Sequence, residues 1–144
     1  MMLSGRLLAI DDNRDAAELV VRVARRCGYE ARLLADHGDL ARALSEWQPE
    51  VLTLDLCMPE ADGISLFSVL QAEKFAGDVI IISGQDDWLR KVAGRLASVH
   101  GLRVVDDLAK PVDLKRLANL LTRLRAAHAP PPAAARTGVA STLG

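Results

Sequence analysis

Asp11 and Asp12 stand directly after the apolar run of residues 7–10, Asp55 after the run 51–54, Ser83 after 79–82, and Lys110 immediately before Pro111. Each of the first three runs is short enough to be a buried strand. In an open parallel sheet, ligands bind in the crevice beyond the carboxyl ends of the strands. Three acids, a hydroxyl and an ammonium are therefore expected to meet at one sheet edge, although they are far apart in sequence. Carboxylate oxygens suit a hard divalent cation. A hydroxyl and an ammonium suit the oxygens of a phosphoryl group. Transfer of a phosphoryl group onto a carboxylate brings two anions together, so its catalysis rests on positioning and charge neutralisation.

The elements that must hold these residues alternate along the chain, which predicts βα units and a parallel sheet. A first strand is expected at 6–10, and a helix at 14–27 with Ala16, Val20, Val23 and Cys27 along one face; Gly28 ends it. Residues 29–34 alternate well enough for a second strand, placed toward the sheet edge because Glu30 and Arg32 interrupt it. A helix over 36–47 follows, with Leu40, Leu44 and Trp47 facing in and Pro49 beyond its end. Residues 51–54 are a buried strand, and 63–74 the third helix. The β-branched run 79–82 is expected to be central. Asp86 or Asp87 can cap a fourth helix reaching Val99, with Leu89, Val92, Leu96 and Val99 inward. A fifth strand at 102–108 is interrupted by Asp106 and Asp107. Asp113 caps a last helix with Leu114, Leu117, Leu121 and Leu124 inward. From His128 the pattern gives way to an Ala- and Pro-rich stretch, expected to be extended and disordered. The expected division is thus one domain over 1–127 and a tail over 128–144.

Composition narrows the classes. The chain has 144 residues, half of them apolar, and a formal net charge of −1. One domain fits that length. The near-zero charge gives no reason to expect direct nucleic-acid binding or attachment to an anionic membrane. No stretch offers the roughly 18 uninterrupted apolar residues of a membrane span, and the first residues lack the pattern of a secretory signal. Cys27 and Cys57 have neither metal-binding spacing nor a disulfide framework around them. A reducing, cytoplasmic setting is expected.

Taken singly, each chemical residue has an ordinary explanation. Asp11 and Asp12 could cap a helix, Asp55 and Ser83-Gly84 could be turn residues, and Lys110 could be a solvated lysine at a helix entrance. The ordered combination reverses that reading. The set Asp11-Asp12, Asp55-Leu56-Cys57-Met58-Pro59 with Asp62-Gly63, Ser83, and Lys110-Pro111 resembles the receiver domain of bacterial two-component response regulators, over about residues 4–127. The resemblance implies a doubly wound, flavodoxin-like (βα)5 fold with five parallel strands in the order 2-1-3-4-5. It implies that Asp55 accepts a phosphoryl group from a phosphohistidine on a histidine kinase or phosphotransfer protein. It further implies Mg²⁺ (or Mn²⁺) held by Asp12 and Asp55, by Asp11 mainly through water, and by the backbone carbonyl of Cys57. Lys110 and Ser83 would contact phosphoryl oxygens, and a cis bond would precede Pro111. Such a protein is no enzyme in its own right, although it assists its own phosphorylation and dephosphorylation.

One position departs from the family pattern. Receivers usually carry an aromatic residue three places before the lysine, and here that place holds Asp107. An acid enters an apolar slot only at a desolvation cost, so the usual coupling between the strand-end hydroxyl and that ring is in question. The segment from Ser83 to Lys110 is also longer than is usual. Trp88, at the start of the fourth helix, could pack on the sheet edge or meet a partner.

The leading expectation is a stand-alone phosphoacceptor receiver that signals through a downstream protein, with a candidate homodimer surface on the fourth helix, fifth strand and fifth helix. The alternative is a receiver-fold interaction module with little phosphorylation-dependent switching. A flavodoxin-like cofactor binder is disfavoured, since no Gly- or Ser/Thr-rich phosphate loop follows the first strand.

Overall fold

The computed structural model describes residues 5–55, 66–84 and 87–128. The chain runs β1 (Arg6–Ile10), α1 (Arg14–Arg26), β2 (Glu30–Leu34), a 3₁₀ turn (His37–Asp39), α2 (Leu40–Trp47), β3 (Val51–Asp55), α3 (Leu66–Ala72), β4 (Asp78–Ser83), α4 (Asp87–Val99), β5 (Arg103–Ala109) and α5 (Leu114–His128). All strand pairs are parallel, in the order β2-β1-β3-β4-β5. The expected doubly wound sheet and its strand order are thus observed. β2 lies at an edge, as its charges predict. β4 is interior, but β3 rather than β4 takes the middle place.

Helices cover both faces, so strand residues of either parity are buried, which is why the strands read as nearly continuous apolar runs. Leu8, Ile10, Leu52, Leu54, Val79 and Ile81 pack beneath α2, α3 and α4. Leu7, Ala9, Val51, Ile80, Ile82 and Leu108 pack beneath α1 and α5, where Leu117, Leu120 and Leu121 are buried. Tyr29 joins this second layer, and its hydroxyl donates to the carbonyl of Leu121 at 2.8 Å.

Several expected faces shift. On α1 the inward residue is Ala17 rather than Ala16, alongside Val20, Val21, Val23 and Ala24. Cys27 caps that helix and is only half-buried. Gly28 then takes φ +93°, a left-handed conformation that favours glycine; a Cβ there would also displace the Arg125 side chain, 2.8 Å away. The stretch before Leu40 is a 3₁₀ turn capped by Asp36, whose Oδ1 accepts the Gly38 N–H. Val99 is 78 % exposed, because α4 buries Ala93 and Ala97 instead. Leu114 is likewise exposed, and Leu120 fills the inward place assigned to it. Asp113 caps α5 as expected, its Oδ1 accepting the N–H groups of Lys115 and Arg116. The expected start of the third helix at Gly63, the side chains of Trp88, Leu89 and Val92, and the tail beyond His128 lie outside the described residues.

Candidate metal and phosphoryl site

β1 and β3 are neighbours, with Ile10 opposite Leu54, so the residues that follow them emerge side by side. Asp55 is the last residue of β3 and is 3 % exposed. Asp11 follows β1, where its N–H continues the ladder to the Leu34 carbonyl at 3.2 Å and its Oδ1 accepts the Asn13 N–H at 2.9 Å. Asn13 in turn caps α1 by accepting the Ala16 N–H, which fixes the turn that carries the acidic pair. Asp12 is exposed. One carboxylate oxygen from each of Asp11, Asp12 and Asp55 falls within 4.8 Å of the others.

Lys110 approaches from the far side. Its N–H donates to the Ser83 carbonyl at 2.9 Å, and the bond to Pro111 is cis, as expected. Its Nζ reaches Asp55 Oδ2 at 3.1 Å and Asp11 Oδ2 at 3.8 Å. Ser83 ends β4 at the same sheet edge and is fully buried. The structure therefore brings Asp11, Asp12, Asp55 and Lys110 together, with Ser83 beside them. Cys57 lies outside the described residues.

The electrostatics are those of a site short of positive charge. Among the described residues, the Lys110 ammonium pairs with Asp11 and Asp55, and Asp12 adds a third carboxylate beside them. Burial pushes the Asp11 carboxyl up to about 6; the Asn13 N–H opposes this, Asp55 adds to it by hydrogen bonding and repulsion, and Lys110 opposes it. An all-oxygen donor set with this charge deficit fits a hard divalent cation such as Mg²⁺.

Two features were not expected from the sequence. Asn13 could have been found, since an Asn before an amphipathic run is a capping signal. The second is an ion pair on β5: Arg116 Nη2 donates to both carboxylate oxygens of Asp106, at 3.1 and 3.3 Å. Asp107, at the position where the family places an aromatic residue, lies half-buried opposite Ile81.

Comparison with known proteins agrees with this geometry. Residues 7–122 match the family model described as the response regulator receiver domain. The chain is 31% identical over 123 residues to the transcriptional regulatory protein PrrA of Mycobacterium bovis, covering 85% of this chain and 49% of PrrA. It is 28% identical to the DNA-binding transcriptional regulator NtrC of Proteus hauseri, covering 85% of this chain and 25% of that protein. The chain thus spans half or less of the length of these curated relatives. Among solved structures, a response regulator from Colwellia psychrerythraea superposes with a TM-score of 0.75 at 26% identity, over 88% of this chain and all of that one. The signal receiver domain of a response regulator from Bermanella marisrubri gives 0.70 at 28% identity, over 85% and 98% of the two chains. Receiver domains generally bind Mg²⁺ through an acidic pocket of this kind and act between histidine kinases and downstream targets. A matched family model over most of its length, on a 2-1-3-4-5 parallel sheet with the acids at the expected edge, makes this chain a member of the response regulator receiver family.

Proposed function

We propose that this receiver accepts a phosphoryl group on Asp55 from a phosphohistidine of a histidine kinase or phosphotransfer protein, in a Mg²⁺-dependent reaction, and passes the signal on by protein–protein contact. The observation that carries the reading is Lys110 Nζ at 3.1 Å from Asp55 Oδ2 within a group of three converging carboxylates. Asp55 supplies the nucleophilic oxygen: an O–P bond forms, the N–P bond of the donor breaks, and the histidine nitrogen leaves with the electron pair. Lys110 lies against the acceptor carboxylate and places one positive charge where phosphoryl oxygens arrive. Ser83 offers a hydroxyl at the same edge. Asp12 and Asp55 would hold the cation directly and Asp11 through water. When bound, the cation neutralises phosphoryl charge.

The chain's own residues position and neutralise, so it acts as a phosphoacceptor assisting its own phosphorylation and dephosphorylation rather than as an enzyme with an external substrate. A cytoplasmic setting suits a kinase partner; no helix among the described residues is long and apolar enough to cross a membrane. PrrA and NtrC are named as transcriptional regulators, but nothing in the net charge of −1 calls for nucleic acid at this domain. Incubation with Mg²⁺ and acetyl phosphate should yield an acid-stable, base-labile phosphate that is absent from Asp55→Asn. Equal labelling of both proteins would sink the reading.

Asp107 favours a second reading, an interaction module that barely switches. Beryllofluoride with Mg²⁺ separates the two: a large structural response supports the switch, and none supports the module.

A further inference from the structure

The residue pairing between β4 and β5 contains an irregularity that bears on Lys110. Val79 pairs with Val104, but Ile80 pairs with Asp106, so Val105 is an extra residue bulged out of the ladder. From there the register runs Ile81 to Asp107, Ile82 to Leu108 and Ser83 to Ala109. Without the bulge, Ile80 would meet Val105 and Ser83 would meet Leu108. Lys110 would then start one residue, about 3.3 Å, too far along, and each later side chain would emerge on the opposite sheet face. The contact of Lys110 with Asp55 is made in the bulged register.

Side chains around the bulge report which register is occupied. Val104 packs toward the α2–α4 layer, whereas Val105 and Leu108 pack toward α1 and α5. Asp106 also points to the α5 side, where its carboxylate accepts two hydrogen bonds from Arg116 and its Oδ1 accepts the Asp107 N–H at 2.8 Å. The Lys110 N–H bonds to β4, and N–H groups alternate in direction along a parallel strand, so the Asp107 N–H faces the open sheet edge. In the slipped register Asp106 would turn to the α4 side, losing Arg116.

We propose that Asp106 and Arg116 are positioning residues for phosphoryl transfer: their ion pair latches the β5 bulge and so sets the register that delivers Lys110 to Asp55. The inference rests on the phosphoacceptor reading above for its chemical consequence, and on the strand register alone for its structural one.

The test uses the whole chain and two readouts. The first is the rate of labelling by acetyl phosphate at saturating Mg²⁺. The second is hydrogen exchange of the Lys110 amide relative to the Leu54 amide in β3, which reports global opening. Asp106→Ala should slow labelling about fivefold, the scale of one partly exposed ion pair, and should speed exchange at Lys110 but not at Leu54. Arg116→Ala should do the same, and Arg116→Lys should recover part of the loss. In a Lys110→Ala background, Asp106→Ala should slow labelling no further, because the effect passes through Lys110. Unchanged exchange at Lys110 would overturn the latch, as would an equal slowing with and without Lys110. Should Asp106→Ala fail to fold, the same comparisons are made with Arg116→Ala, whose side chain is largely exposed. If the wild type takes no phosphate, the phosphoacceptor reading fails, while exchange at Lys110 still decides the register.

Discussion

β3 and β5 each deliver a chemical residue to the same sheet edge, yet they are built in opposite ways. All five residues of β3 are buried and the strand is paired on both sides. β5 is an edge strand, paired among the described residues only with β4; of its seven residues only Leu108 is buried. Sliding β3 by one residue would displace a ladder on each side and bury Asp55 among the leucines, so hydrophobic burial fixes where Asp55 lies. The penalty is smaller for β5. Its register rests on Leu108, the half-buried Val104 and Val105, a bulge and the ion pairs Arg103–Asp78 and Arg116–Asp106, and the position of Lys110 is correspondingly easier to alter. The acceptor is held by the core, and the cation that serves it is held by the periphery.

The largest expected contrast is in stability. Leu54 is fully buried beneath α2 to α4. Leu54→Ala should cost about 3 kcal/mol, within the usual range for a core leucine. Val104 packs on the same layer but is only half-buried, and Val104→Ala should cost about 1 kcal/mol. Urea unfolding measures both. A cost at Val104 equal to that at Leu54 would mean that β5 is as firmly seated as β3, and the contrast would fail.

The same difference explains what could be read from the sequence. Strands β1, β3 and β4 were legible because their apolar runs have one buried solution, and the acids after them then had to converge. Faces of helices were less legible: small residues such as Ala17, Ala93 and Ala97 can be buried where helix and sheet approach closely, which left Val99 and Leu114 exposed despite their hydrophobicity. The bulge was visible only as a broken alternation, Val104-Val105 followed by Asp106-Asp107. The contact between Asp106 on β5 and Arg116 on α5 that accompanies it leaves no mark in strand periodicity.

Lys110→Ala sharpens the comparison at the level of chemistry. Removing one charge aimed at a transferring group commonly costs a hundredfold or more. The Lys110 side chain is 31% exposed, so water supports part of its task. We expect labelling by acetyl phosphate to slow by about tenfold to a hundredfold, with folding retained because the core around β3 is untouched. A rate equal to wild type would mean that Lys110 serves structure alone.

The smallest effect concerns protons at the buried end of β1. Because burial raises the Asp11 carboxyl to about 6 from its ordinary 3.8, the folded protein binds a proton there that the unfolded chain releases between those values. In metal-free protein this group therefore disfavours folding above pH 6, and its penalty is relieved as pH falls from about 6 toward 4. Asp11→Asn removes the titration. The difference in urea midpoint between wild type and Asp11→Asn should accordingly change in favour of wild type on going from pH 7 to pH 5 without metal. Mg²⁺ favours the ionised carboxylate, so its apparent affinity for wild type should weaken over the same interval as protons compete for the oxygens. A difference in midpoint independent of pH would place Asp11 in water rather than in the desolvated corner that β1 and β3 form, and that corner is what separates the β3 side of the site from the open β5 side.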